Sequence, residues 1–108
     1  MLLTLVRHAK SSWSDPSLSD FDRPLNERGN RDAPRMARWF FENIQEMPIL
    51  FTSPANRALS TAKYFKKEFS PTKLYIVDDL YHANLQDYES LILENNHEKH
   101  IIIFGHNP

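Results

Sequence analysis

LLTLVRHAKSSW, residues 2–13, decides how the rest of the chain is read. The apolar run Leu2 to Val6 has the length and composition of a buried strand, and it delivers the chain directly into Arg7 and His8. Such a pair is either a polar cap on a buried element or a nucleophile beside a phosphate clamp. The choice depends on what stands at the same end of the other strands.

Working outward, a polar loop runs to about Pro24, and Asn26 can cap a helix whose apolar positions Ala33, Met36, Ala37, Phe40, Phe41 and Ile44 recur at helical spacing. Pro34 fits that helix only near its start, which leaves the start open. Ile49 to Thr52 reads as a second strand, and Ser53 and Pro54 read as the cap and first residue of a helix reaching about Phe69. A third strand is expected over Leu74 to Val77, a third helix over Leu85 to Asn95 and a fourth strand over Ile101 to Phe104. This β-α-β-α-β-α-β order predicts a three-layer α/β/α fold with a mainly parallel sheet covered on both faces.

Composition bounds the function. A chain of 108 residues, 41% apolar and 12% aromatic, suits one domain over residues 1–108. Thirteen Lys and Arg against fourteen Asp and Glu leave a net charge of −1, which argues against general binding to nucleic acid or an anionic membrane. The apolar runs are too short to span a bilayer and the N-terminus lacks signal-peptide character, so a cytoplasmic protein is expected. The absence of cysteine excludes thiolate metal sites and a cysteine nucleophile. Two glycines, Gly29 and Gly105, and no GxxxxGK pattern exclude P-loop chemistry, and four strand signals oppose a helical phosphotransfer bundle.

Arg7 and His8 follow the first strand, Arg57 lies in the opening turn after the second, and His106 follows the fourth. All four therefore fall at the carboxyl edge of the sheet, where open parallel sheets bind ligands. Two arginines and two histidines there, with a helix N-terminus, suit a dianionic phosphoryl group through forked charge-assisted hydrogen bonds. A neutral imidazole, with a reference pKa of about 6.5, can attack phosphorus without a separate base. Neighbouring arginines should lower the pKa of His8 further, and one ring nitrogen should donate to a backbone carbonyl to fix the tautomer. His82, His97 and His100 have no such company and read as solvent-facing or structural, and the FKKEF run reads as a solvated helix face.

VRHAKSSW, RPLNERG, TSPANRALSTA and IIIFGHNP, in that order and at these separations, resemble the histidine phosphatase superfamily, also called phosphoglycerate-mutase-like, and within it the SixA-like phosphohistidine phosphatases. The resemblance covers essentially the whole chain. It implies that His8 becomes transiently phosphorylated, that Arg7, Arg57 and His106 hold the phosphoryl oxygens, and that Arg23 adds a further phosphate contact. It implies no cofactor and no metal, and a phosphorylated protein or a small phosphate-containing substrate as partner. Ala9 replaces the usual glycine after Arg-His, which is tolerable where φ is not positive. The family's glutamate proton donor has no clear match, and Asp20, Asp22, Asp79, Tyr81 and His82 are the weak candidates for that role. Related chains continue beyond the position of Pro108, so the resemblance implies a missing C-terminal part. The sequence is compatible with a metal-independent phosphohistidine phosphatase, a small-molecule phosphatase or mutase, and a catalytically silent phosphate-binding module.

Overall fold

The computed structural model describes residues 1–106, so Asn107 and Pro108 of the last motif lie outside the described residues. Its elements are β1 (Leu2–Arg7), α1 (Glu27–Asn43), β2 (Ile49–Thr52), α2 (Asn56–Glu68), β3 (Leu74–Ile76), a 3₁₀ turn (Asp78–Leu80), α3 (Leu85–Glu94) and β4 (His100–Gly105). The strands lie in the order β1-β4-β2-β3, every neighbouring pair parallel.

β4 is buried at every position, as the uninterrupted apolar run from Ile101 to Phe104 requires of a central strand. Its alternating side chains divide the core in two. Ile102 and Phe104 meet Leu50, Ala37 of α1, and Ala62 and Phe65 of α2 on one face. Ile101 and Ile103 meet Phe51, Leu80 and Leu91 of α3 on the other. The result is the three-layer α/β/α arrangement expected from the sequence.

The local rules hold with instructive exceptions. Asn26 caps α1, its side chain accepting from the Gly29 N–H at 2.8 Å, and Glu27 places negative charge in the first turn. Pro34 sits well inside α1, beyond the first turn. A proline there costs the helix on the order of 3 kcal/mol, and burial of Ala33 and Ala37 on either side of it offsets that loss. Gly29 is needed for close approach, because a Cβ there would collide with the Lys10 carbonyl. α2 begins at Asn56, not at Pro54. The Ser53 hydroxyl is drawn into a tight turn, accepting from Ala55 N–H at 3.2 Å, and cannot cap; the Asn56 N–H is taken by the Phe21 carbonyl at 2.9 Å instead.

Smaller boundaries move for similar reasons. Val77 still donates to Thr52 O at 2.8 Å but opens the 3₁₀ turn and leaves the strand. β4 starts one residue early because His100 is buried, its Nε2 bonded to Thr4 Oγ1 at 2.8 Å. In the FKKEF segment Phe65 and Phe69 are fully buried and only the charged positions face outward. No described helix is long and apolar enough to cross a membrane.

Phe65 carries the helix-to-sheet packing, with Phe104 edge-on at 4.8 Å and Phe40 and Phe69 against it. Phe65→Ala is expected to destabilise the fold by about 3–5 kcal/mol in urea unfolding at unchanged slope. A loss below about 1 kcal/mol would contradict this account of the core.

Candidate active site

Backbone register builds the centre of the site. β1 and β4 are paired so that Arg7 lies opposite Gly105, and the next residue on each strand is a histidine. The His8 N–H continues the ladder to Gly105 O at 3.2 Å. The two imidazoles leave the sheet side by side, ring centroids 5.3 Å apart and planes 55° apart. Gly105 leaves room for the Tyr88 hydroxyl, which would have to move if a Cβ were added, since the two would lie 2.5 Å apart. β2 adds Ser53, whose N–H bonds Phe104 O at 3.0 Å and whose Oγ lies 2.9 Å from His106 Nε2.

His8 Nδ1 lies 2.8 Å from Ala9 O. A carbonyl only accepts, so Nδ1 carries the proton and Nε2 keeps its lone pair. The Ala9 N–H donates to Thr61 Oγ1 at 3.0 Å, and that hydroxyl donates to Arg57 O at 2.8 Å, tying the His8 loop to α2. Ala9 fits because its φ is not positive; among the described residues His82 is the only non-glycine residue with positive φ. Burial lowers the His8 pKa, the Ala9 hydrogen bond opposes this, and Arg57, Arg7 and Arg23 lower it further. His106 is pushed down to about 4 by burial, then by Arg57 and His8. Both rings are therefore neutral at pH 7.

The loop between β1 and α1 folds back on itself, with Ser11 bridging Leu25 and Ser12 N–H bonded to Pro24 O at 2.8 Å. This carries Arg23 into the site. Arg23 donates to Ser11 Oγ at 2.5 Å and to Asp20 Oδ1 at 3.2 Å, under the Trp13 ring 3.6 Å from its guanidinium carbon. Arg57 reaches the same aspartate twice, Nη1 to the Asp20 carbonyl at 2.6 Å and Nη2 to Oδ2 at 3.0 Å. Tyr81 Oη also donates to Oδ2 at 2.7 Å. The Nε of each arginine is buried and unpartnered.

A cavity of about 260 Å³ is lined by Arg7, His8, Arg23, Arg57 and His106, so the fold brings together all five residues the sequence singled out. Arg7 is exposed at its mouth, whereas Arg23 and Arg57 are buried. A second cavity of about 320 Å³, lined by Asp20, Tyr81, His82 and Tyr88, shares Arg57 and His106 with the first.

Of the weak acid candidates, Asp20 is held far below the usual carboxylate range by the Tyr81 hydrogen bond and then by Arg57 and Arg23, so it is ionised and cannot donate. Asp22 and Asp79 are exposed, Asp22 accepting from Ser19 Oγ at 3.0 Å. His97 is exposed beside Glu98 and His100 lies at the opposite end of the sheet, neither in the site. Ser53, Thr61, Ser11 and Trp13 were not legible as site residues. Thr61 had a signal, standing four residues after Arg57 on one helix face, whereas Ser53 was hidden by its resemblance to a cap.

A protein of Agrobacterium tumefaciens provisionally designated phosphohistidine phosphatase SixA superposes with a TM-score of 0.90 at 31% identity, over 98% of this chain and 69% of that one. The alpha-ribazole phosphatase of Shigella flexneri, 16% identical with a TM-score of 0.75 over 98% of this chain and 74% of that one, shares the fold. An uncharacterised chloroplastic protein of Arabidopsis thaliana is 33% identical over 89 residues, 79% of this chain, and the chain spans 40% of that relative's length. Residues 3–107 match the histidine phosphatase superfamily, branch 1, and the chain belongs to that family.

Proposed function

We propose that the chain is a metal-independent phosphatase that passes the phosphoryl group through Nε2 of His8 and acts on phosphohistidine in proteins. The observation that carries this reading is the Nδ1 contact to Ala9 O at 2.8 Å, which leaves a neutral, outward lone pair on Nε2 beside three arginines. In the first step that lone pair forms the P–N bond to His8 while the bond from phosphorus to the leaving atom breaks. In the second, water attacks phosphorus, the P–Nε2 bond breaks, and the water's proton leaves with phosphate and solvent.

Arg7, Arg23, Arg57 and His106 take the phosphoryl oxygens in this scheme. The unpartnered Nε atoms of Arg23 and Arg57 and the exposed Arg7 head are donors still to be satisfied, and a dianion satisfies them. That dianion also raises the proton affinity of His106, which serves as a donor once substrate is bound. A macromolecular substrate fits the rim, where Trp13 is 77% exposed and Leu18 and Phe21 are also exposed beside the arginine loop. The Agrobacterium relative's designation agrees with this substrate class. The fold alone does not select it, because the Shigella alpha-ribazole phosphatase shares that fold. The deciding assay compares a phosphohistidine protein with phosphoglycerate and an aryl phosphate, with and without chelator. Faster turnover of phosphohistidine is expected, comparable kcat/KM for phosphoglycerate moves the protein to small-molecule substrates, and no turnover of any leaves a binding module.

Three outcomes test the mechanism. Brief exposure to labelled substrate should leave label on the protein that survives alkali and is lost in acid, and His8→Ala should abolish it; equal labelling of that variant rejects His8. Arg57→Ala should lower turnover about 10²-fold or more, with poor rescue by Arg57→Lys because a point charge cannot replace the fork. Near-normal turnover of Arg57→Ala places phosphate elsewhere. Charging either histidine opposes burial and nearby arginines, so NMR titration of the free protein should give midpoints below 6.5 for His8 and near 4 for His106. A His8 midpoint at or above 6.5 contradicts the neutral nucleophile.

A further inference from the structure

The second cavity adjoins the one lined by His8 and shares Arg57 and His106 with it. A leaving group attached to phosphorus beside His106 has this space next to it. One wall is aromatic: the Tyr81 ring stands edge-on to His106 at 5.8 Å, and His82 lies against Tyr81 at 4.1 Å. His82 holds that place with φ of 61°, a left-handed conformation that costs a non-glycine residue on the order of 1 kcal/mol or more. The other wall is the Asp20 carboxylate.

A carboxylate has about four acceptor positions. Asp20 uses two on Oδ2, for Arg57 and Tyr81, and one on Oδ1, for Arg23. One position on Oδ1 remains, on a side chain that is 49% exposed. The cavity therefore offers aromatic faces and a single anionic acceptor, and its one carboxyl is not protonated.

We infer that this cavity is a leaving-group subsite for an imidazolium ring, in which Asp20 accepts the hydrogen bond of the ring N–H distal to phosphorus. The inference rests on the phosphohistidine reading above and explains how it proceeds without an assigned proton donor. With the distal nitrogen protonated, the phosphorylated ring is cationic. Attack by His8 Nε2 breaks the P–N bond, and its electron pair stays on the ring nitrogen that carried phosphorus. The ring leaves as neutral imidazole, its one proton still on the distal nitrogen, and no proton donor is needed at the reacting atom. An alkoxide leaving group gains nothing from Asp20, and one carrying a carboxylate is repelled by it. Asp20 is thus a specificity-determining residue as well as the group that positions Arg23 and Arg57.

The charged and titratable groups lining the subsite are Asp20 and Arg57, with Tyr81, His82, Tyr88 and His106, and Arg23 acts on it through its hydrogen bond to Asp20. Removing the Asp20 charge leaves the two arginines, lowers the proton affinity of the bound ring and moves the alkaline limb of kcat to lower pH.

The test uses the full chain and Asp20→Asn, with N-phosphoimidazole and p-nitrophenyl phosphate as probes. Asn keeps an acceptor for Arg57, and both activities are expected to fall because both arginines lose an ionic partner. The loss on N-phosphoimidazole should exceed that on the aryl phosphate by tenfold or more, with the alkaline limb shifted downward for N-phosphoimidazole alone. Equal losses with an unmoved limb reduce Asp20 to an arginine anchor and overturn the subsite. Failure of the unaltered protein to hydrolyse either N-phosphoimidazole or a phosphohistidine protein overturns the phosphohistidine reading and the subsite with it, which separates the two failures.

Discussion

The parallel pairing of β1 with β4 is the constraint on which the candidate site depends. Strand pairing is quantised by residue, and a slip of one position would send every side chain of β1 to the opposite face of the sheet. Leu2 opposite His100 and Arg7 opposite Gly105 are therefore the same fact at two ends of one ladder. At the amino end it brings Thr4 to His100; at the carboxyl end it sets His8 beside His106. The fully buried β4 anchors the register, because its Ile102 and Phe104 commit one face to α1 and α2 while Ile101 and Ile103 commit the other to α3.

A second constraint is electrostatic. Arg23 and Arg57 are both buried, and a buried charge without a partner is costly. Asp20 supplies one negative charge to the two of them. The arrangement is compensated enough to fold and leaves positive charge over, with Nε donors unpartnered and Arg7 at the mouth. Burial first, and then the same positive excess, disfavours the charged form of both histidines. One carboxylate shared between two guanidiniums thus leaves donors unpartnered and a net positive field beside the two imidazoles.

Much of the fold was legible because its signals are local. The strand runs, the Asn26 cap and the helical spacing from Ala33 to Ile44 each report on a few neighbouring residues. Where local signals misled, a distant partner had prevailed. Ser53 and Pro54 have the form of a helix start, but the hydroxyl is held near His106 and the helix begins at Asn56. Pro34 should have lain in the first turn, and burial of the α1 face against the sheet tolerates it inside the helix. Asp20 has the local look of an acid, a loop aspartate near the expected site, and the partners that keep it ionised, Arg57 and Tyr81, stand 37 and 61 residues away.

By itself the sequence determined the alternation of strands and helices, and with it the edge of the sheet at which Arg7, His8, Arg57 and His106 must emerge, since in a parallel sheet every strand ends on the same side. It also determined that these 108 residues hold no thiol and no GxxxxGK pattern. Only the tertiary structure decided the strand order β1-β4-β2-β3, which makes the two histidines neighbours, and the ionised state of Asp20 between two arginines and a tyrosine. The physical reason is that propensity and capping act over a few residues, whereas strand adjacency and the field at a side chain are set by groups the chain brings together from far apart.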